Sequence, residues 1–299
     1  MPDATPPITP TSPEAPGKKA APSDLRQRVI YASIGAVLLL GSVWYSAWSF
    51  ALFFAAVQVK MLLEFYRMMR AGGYAPAKWI GVGASLATIA GLVFMVAANE
   101  EGTLGHAPVV AIALFLCLPV VLLLRAIVLW PKHSKPFSDV AVTLAGLFYV
   151  GFPMTLLGVI ANFHTTYDYR RIFGLLFLVW ASDIGAYAAG KTFGKHKLAP
   201  SISPGKTWEG WAGGFLLTLA VGWALTFMLP DVPLAHLLVA AGVVAVFGPL
   251  GDLAESMLKR SVGVKDSGTF MPGHGGLLDR FDAFLLVLPV LALLQLLAN

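Results

Sequence analysis

SMLKRSVGVKDSGTFMPGHGGLLDRFD, residues 256–282, is a charged, glycine-rich stretch wedged between two long apolar runs. It holds Lys259, Arg260, Lys265, Asp266, His274, Asp279, Arg280 and Asp282. The flanks read as membrane helices and the stretch as a polar loop at their ends. Charges are costly at or near a bilayer, so a cluster of this kind reads as a site. Lysines and arginines neutralise phosphates, and carboxylates hold a divalent metal that bridges phosphate oxygens. The stretch therefore points to a phosphate-handling centre at a membrane surface.

Composition supports that setting. Hydrophobic residues make up 57% of the chain and charged residues 12%, about half the charged share of a soluble domain. Mean hydropathy is +0.74. Apolar runs cover roughly 29–63, 79–98, 108–130, 138–161, 172–190, 208–229, 233–257 and 278–297, so the fold class expected is an all-α polytopic membrane protein. The net charge of +5 does not indicate nucleic acid, because the basic residues gather at the ends of apolar segments, as in cytoplasmic loops. Cys117 is the single cysteine, which rules out an intrachain disulfide and a thiolate metal site. Residues 1–28 are rich in Pro, Ala, Ser and Thr and read as a disordered cytoplasmic tail, not a signal peptide. Residues 29–170 then form N-terminal transmembrane helices, and 171–299 a C-terminal catalytic region.

Charge sets the sidedness. The first apolar run is too long for one ordinary span, and Lys18, Lys19, Arg26, Arg28 before it and Arg67, Arg70 and Lys78 after it both read as cytoplasmic. Two short helices turning near Trp44 to Trp48 satisfy both. The remaining loops alternate, with 191–207 and 259–277 both inside. Arg170 and Arg171, on the outer side, are the one discord. About nine transmembrane helices result, with the polar loops that form the site on the cytoplasmic face.

Several motifs fall in or beside these loops. Asp183 lies within an apolar run, either as a working carboxylate in a cavity or as the partner of a helix-facing lysine. Its neighbours Ser182, Gly185 and Gly190 permit close helix packing. Gly185 to Thr192, GAYAAGKT, formally matches a phosphate-binding loop, but it sits in a membrane helix without the strand that such a loop requires. Ser203 to Gly210, SPGKTWEG, opens the next span as an anion cradle, with Lys206 and Thr207 alongside, or as a capped helix start. Asp252, Glu255, Ser256 and Lys259 share one helix face. Snorkelling accounts for Lys259 and Arg260 but not for Asp252. The four glycines around Lys265, Asp266 and His274, including Gly275 and Gly276, allow backbone amides to approach phosphate. His274 is a phosphate donor or simply a loop histidine. Asp279 and Asp282 either complement a helix dipole or, Asp279 with Asp252, form a metal pair.

Residues 256–282 resemble the signature of the phosphatidate cytidylyltransferases, the CDP-diacylglycerol synthases: S-x-φ-K-R, four residues, K-D-x-G, then P-G-H-G-G-φ-x-D-R-φ-D. Met271 stands where that pattern usually has Leu, Ile or Phe. S-D-I-G-A-Y, S-P-G-K-T-W-E-G and G-D-L-A-E-S also look like family blocks, with Gly205 where a second lysine is often found. The resemblance covers about residues 180–282.

The resemblance implies that CTP and phosphatidate give CDP-diacylglycerol and pyrophosphate with Mg²⁺, with room for a second cation. It implies Asp252 and Asp279 as metal ligands with Asp183 in the same cavity, and Lys206, Lys259, Arg260 and Lys265 on the substrate phosphates. Asp266, His274 and the glycine loop would close over them, with Ser203, Thr207, Ser256, Arg280 and Asp282 completing the substrate contacts. The lipid tails would stay among the membrane lipids, a homodimer is compatible with the family, and a bacterial inner membrane is the expected location. The alternatives are another membrane phosphotransferase, a lipid kinase or a transporter. The first lacks its usual D-G-x-x-A-R pattern here, the second makes no pyrophosphate, and no internal repeat supports the third.

Overall fold

The computed structural model describes residues 22–100, 105–131, 135–162, 166–268 and 275–297. The elements run α1 (Pro22–Tyr45), α2 (Ala47–Ala71), α3 (Lys78–Glu100), α4 (Ala107–Leu116), α5 (Leu118–Val128), α6 (Pro136–Gly146), a π-helical turn (Leu147–Gly151), α7 (Phe152–Ala161) and α8 (Tyr169–Phe193). There follow β1 (Lys197–Ala199), β2 (Ser203–Thr207), α9 (Trp208–Ala224), a 3₁₀ turn (Leu225–Phe227), α10 (Leu234–Ser261) and α11 (Leu278–Leu297). Among the described residues, eight helical segments are long and apolar enough to cross a bilayer, α4–α5 and α6–α7 each forming one. Ser33–Tyr45 in α1, where the sequence count placed a ninth span, is a shorter apolar helix and is not one of the eight.

The first apolar run divides where expected. Ser46 interrupts it and caps α2: its Oγ accepts from the Ser49 amide at 3.1 Å, while the Ser49 Oγ accepts from the Ser46 amide at 3.0 Å. This reciprocal pair satisfies two amides that a helix start leaves open. α2 is not short, however. It continues to Ala71 because Met61, Leu62, Phe65, Tyr66, Met68 and Met69 maintain a buried face while Arg67 and Arg70 remain exposed, as in any amphipathic helix. The polar connection expected over 64–78 shrinks to 72–77. Residues 1–21 of the expected tail lie outside the described residues, and α1 starts at Pro22, inside the stretch read as tail.

Small residues set the closest helix pair. A Cβ added at Gly185 of α8 would lie 2.7 Å from the Gly213 carbonyl and 2.9 Å from the Gly214 Cα of α9. One added at Gly214 would lie 2.7 Å from the Ser182 carbonyl. Without hydrocarbon solvent to expel, membrane helices gain most from such backbone approach. Gly185 to Thr192 is continuous helix within α8, so the formal phosphate-loop match is a packing surface. The buried core unites both halves of the chain, with Phe54 of α2 meeting Phe281 of α11 edge to face at 6.2 Å.

The bundle has two unlike ends. At one, the 72–77 connection, the β1–β2 hairpin, the end of α10 and the start of α11 meet. There the Ala75 amide donates to Asp139 at 2.6 Å, and a Cβ at Gly72 would lie 2.7 Å from Val262. The hairpin was not expected from the sequence; it pairs Lys197 with Thr207 and Ala199 with Ser203, antiparallel. At the other end, the Tyr167 hydroxyl donates to the Val43 carbonyl at 2.5 Å, and Arg170 and Arg171 are neutralised. Arg170 lies 2.9 Å from Asp168 and 3.5 Å from Asp231, and Arg171 lies 3.4 Å from Asp231. Burial pushes the Asp168 carboxyl up, but the hydrogen bonds and charges of Arg170 and Arg171 outweigh it and hold the group below the usual carboxylate range. The discord in the charge pattern is thus a set of ion pairs.

Candidate active site

A cavity of about 790 Å³ opens at the hairpin end between α8, β2, α10 and α11. Asp183, Lys206, Asp252, Arg280 and Asp282 line its polar part, and Val179, Trp180 and Phe284 its apolar depth. One wall can therefore meet charge while another meets hydrocarbon, which suits an amphiphile.

Local sequence explains how α10 presents Asp252. Pro249 lacks an amide, so the carbonyl one turn earlier loses its helical donor. That carbonyl, on Ala245, accepts instead from the indole Nε1 of Trp211 at 3.0 Å. The Pro249 carbonyl accepts from Lys206 Nζ at 3.0 Å, and the same ammonium lies 2.8 Å from Asp252 Oδ2. Lys206 thus joins the hairpin to α10. Gly251 brings α10 against α11: a Cβ there would lie 2.5 Å from the Asp282 carbonyl and 3.0 Å from the Ala283 Cα. Asp252 and Asp282 are neighbours because nothing larger than glycine separates the two backbones.

Asp252, Glu255 and Asp282 each offer a carboxylate oxygen within 4.8 Å of the others. Three like charges this close repel strongly wherever water is scarce. Glu255 is fully buried, and its Oε1 has no hydrogen-bond partner. A buried carboxylate oxygen without a donor is unfavourable unless the group takes up a proton or a cation serves it. An all-oxygen donor set suits a hard divalent ion such as Mg²⁺, and the residues present fit one.

A second group shares Glu255 with this trio and is held by Lys259. Lys259 Nζ is 2.5 Å from Glu255 Oε2 and 2.7 Å from Asp279 Oδ1. The other Asp279 oxygen accepts from the Ser267 hydroxyl at 2.9 Å, the Ser267 amide at 3.2 Å and the Gly276 amide at 2.7 Å. Gly275 has φ +79°, which a side chain rarely tolerates, and a Cβ there would lie 2.5 Å from Asp279 Oδ2. The glycines of this stretch let the chain wrap around a carboxylate.

The structure redistributes the sequence-derived roles. It brings Asp252 together with Glu255 and Asp282, and Asp279 lines the same cavity while engaging Lys259, Ser267 and Gly276. Asp183 faces the same cavity from α8. Ser256 turns its hydroxyl to Asp252 at 3.3 Å. Thr207 lines the cavity and caps α9, its hydroxyl oxygen accepting from the Gly210 amide at 3.1 Å, which leaves the O–H as a donor. Ser203 pairs with Ala199 in the hairpin and is not among the cavity-lining residues. Arg260, Lys265 and Asp266 are exposed and are likewise not among them. His274 lies outside the described residues. Two acidic residues gain importance. Glu255 belonged to the recognised helix stripe, yet only the fold shows that it joins Asp252 and Asp282. Glu64 of α2 went unread because it falls just past the first apolar run, in what read as a polar connection, and only the extension of α2 to Ala71 buries it.

Fold and cavity together define a class: a helical integral-membrane protein with a carboxylate-rich, lysine-edged site suited to phosphate chemistry. The sequence profile of the cytidylyltransferase family matches residues 26–297. The chain belongs to that family. The phosphatidate cytidylyltransferase of Bacillus subtilis (strain 168) is 36% identical over 273 residues, 90% of this chain and 96% of the relative. Its counterpart in Staphylococcus haemolyticus (strain JCSC1435) is 44% identical over 165 residues, 54% of this chain and 62% of that protein.

Proposed function

We propose that the chain is a phosphatidate cytidylyltransferase. A phosphate oxygen of phosphatidate attacks the α-phosphorus of CTP, the bond from that phosphorus to the α–β bridging oxygen breaks, and pyrophosphate leaves with the electron pair. The nucleophile is already anionic near neutral pH, so the barrier lies in bringing anions together rather than in removing a proton. The observation that carries this reading is the cavity itself, in which Asp252 and Asp282 of the carboxylate trio and the cations Lys206 and Arg280 share a lining with apolar Val179, Trp180 and Phe284.

Lys206 and Arg280, on the cavity wall, are placed to bind substrate phosphates. Asp252, Glu255 and Asp282 would hold Mg²⁺, which when bound offsets phosphate charge and supports the developing pyrophosphate. Asp183 adds to the negative field that draws cations into the cavity. Lys259 neutralises Glu255 and Asp279 from behind, so that the acidic wall can exist at membrane depth. Val179, Trp180 and Phe284 receive the lipid side. The N-terminus and this end of the bundle are cytoplasmic in a bacterial inner membrane, supported by the lysines and arginines concentrated there and by the neutralisation of Arg170 and Arg171 at the other end.

Detergent-purified protein supplied with CTP, phosphatidate and Mg²⁺ should release pyrophosphate and form CDP-diacylglycerol, with neither product when phosphatidate is replaced by diacylglycerol. Transfer to diacylglycerol without pyrophosphate would instead mark a lipid kinase.

A further inference from the structure

We propose that Glu64, supplied by α2 from the first half of the chain, is a positioning residue that holds the loop between α10 and α11 in register with the acidic site. For its catalytic consequence the proposal rests on the function given above; its structural consequence does not.

Glu64 is buried, at 2% exposure, although it lies in a membrane helix. Its Oε2 accepts from the Leu278 amide at 3.0 Å, so the carboxylate occupies the first turn of α11, where a negative charge complements the helix dipole. The same carboxylate touches both described ends of the loop. A Cβ added at Gly268 would lie 2.7 Å from Glu64 Oε1, and one added at Gly276 would lie 2.5 Å from Glu64 Oε2. Residues 267–268 and 275–276 are therefore side by side against one group. Asp279 holds the same two places by hydrogen bonds from Ser267 and Gly276. Two carboxylates, one local and one from the opposite half, grip the ends of the loop together.

The grip connects directly to the site. Asp279 bonds Lys259, and Lys259 contacts Glu255 of the carboxylate trio. Glu64 is not among the residues lining the cavity, so it acts through these contacts. A carboxylate that served only to start α11 would require the Leu278 amide alone. Glycine at 268, where a side chain would meet Glu64, and at 276, where it would meet both Glu64 and Ser267, is what that simpler role leaves unexplained.

The test uses full-length protein in detergent, with Glu64→Ala and Glu64→Gln. Glu64→Ala should speed tryptic cleavage after Lys265 on the order of tenfold, leaving cleavage after Lys197 in the hairpin unchanged. It should lower kcat on the order of tenfold or more with a smaller change in KM for CTP. Glu64→Gln keeps an acceptor for Leu278 and nearly the same shape, and should restore most of the protection and most of kcat. Equal acceleration at Lys197 and Lys265 with a lower Tm would overturn the proposal, showing a general packing role. So would unchanged cleavage at Lys265. If wild-type protein released no pyrophosphate, the assigned reaction would fail while the cleavage comparison still decided the role of Glu64.

Discussion

Charged residues gather at both ends of this bundle, with opposite outcomes. At the far end, Asp168 and Asp231 meet Arg170 and Arg171, two carboxylates against two guanidinium groups at 2.9 to 3.7 Å. Around the cavity at the hairpin end, Asp183, Asp252, Asp279 and Asp282 stand with Lys191, Lys206 and Arg280 in a space of about 790 Å³, and a buried Glu255 oxygen beside it lacks a donor. A balanced, mutually satisfied cluster ties loops together. An unbalanced one stores electrostatic free energy that a cation and a phosphate ligand can release, and it persists because the surrounding helices hold it in place.

The largest effect should come from removing one of the unbalanced carboxylates. Asp252→Asn should reduce pyrophosphate release by on the order of 100-fold or more and leave Tm without added metal little changed, because relief of like-charge repulsion offsets the weakened Lys206 contact. Thermal unfolding beside a turnover assay checks both parts. A large fall in Tm would place Asp252 with the staples instead. Lys259→Met should break the paired part of the same end. It leaves Glu255 and Asp279 without their shared cation and should destabilise the fold by about 3–5 kcal/mol, measurable as a lower Tm and denaturant midpoint.

Gly251→Ala sharpens the comparison geometrically. The added methyl forces α10 from α11 between Asp252 and Asp282, and a displacement near 1 Å should lower kcat by roughly 100-fold. The smallest effect belongs to the far end. Asp231→Asn should change activity less than about twofold and stability by no more than about 1 kcal/mol. Acid should act there in a defined direction. The folded pKa of Asp168 is depressed, so its contribution is complete above the ordinary value of 3.8 and lost as pH falls through the lower folded value. An Asp168→Asn variant should lose a little Tm at neutral pH and show a flatter decline in Tm on acidification below that ordinary value.

Much of this was legible in the sequence because membrane burial leaves a blunt signal. Apolar runs located the spans, Ser46 lay at the turn expected near Trp44 to Trp48, and the intramembrane position of Asp183 and Asp252 marked the cavity. Local pattern says less about partners. Asp252 and Asp279 were paired on residue type and do line one cavity. Residue type did not show that the approach of α10 and α11 at Gly251 also brings Asp282 to Asp252, or that Lys259 and the loop amides engage Asp279. Thr207 was read as a phosphate contact, and the sequence pattern did not show that its hydroxyl also caps α9. The hairpin was invisible because three- and five-residue strands lack a period long enough to read. α2 outran its apolar stretch because its buried face continued among charges.

The central claim is that Asp252, Glu255 and Asp282 hold the cation required for transfer. It is tested most directly by titrating Mg²⁺ into chelator-treated protein with CTP and phosphatidate, comparing wild type, Asp282→Asn and Asp231→Asn. Wild type and Asp231→Asn should share one Mg²⁺ requirement, and Asp282→Asn should need on the order of tenfold more Mg²⁺ or fail to recover. The same Mg²⁺ dependence in all three proteins, or full activity in excess chelator, would contradict it.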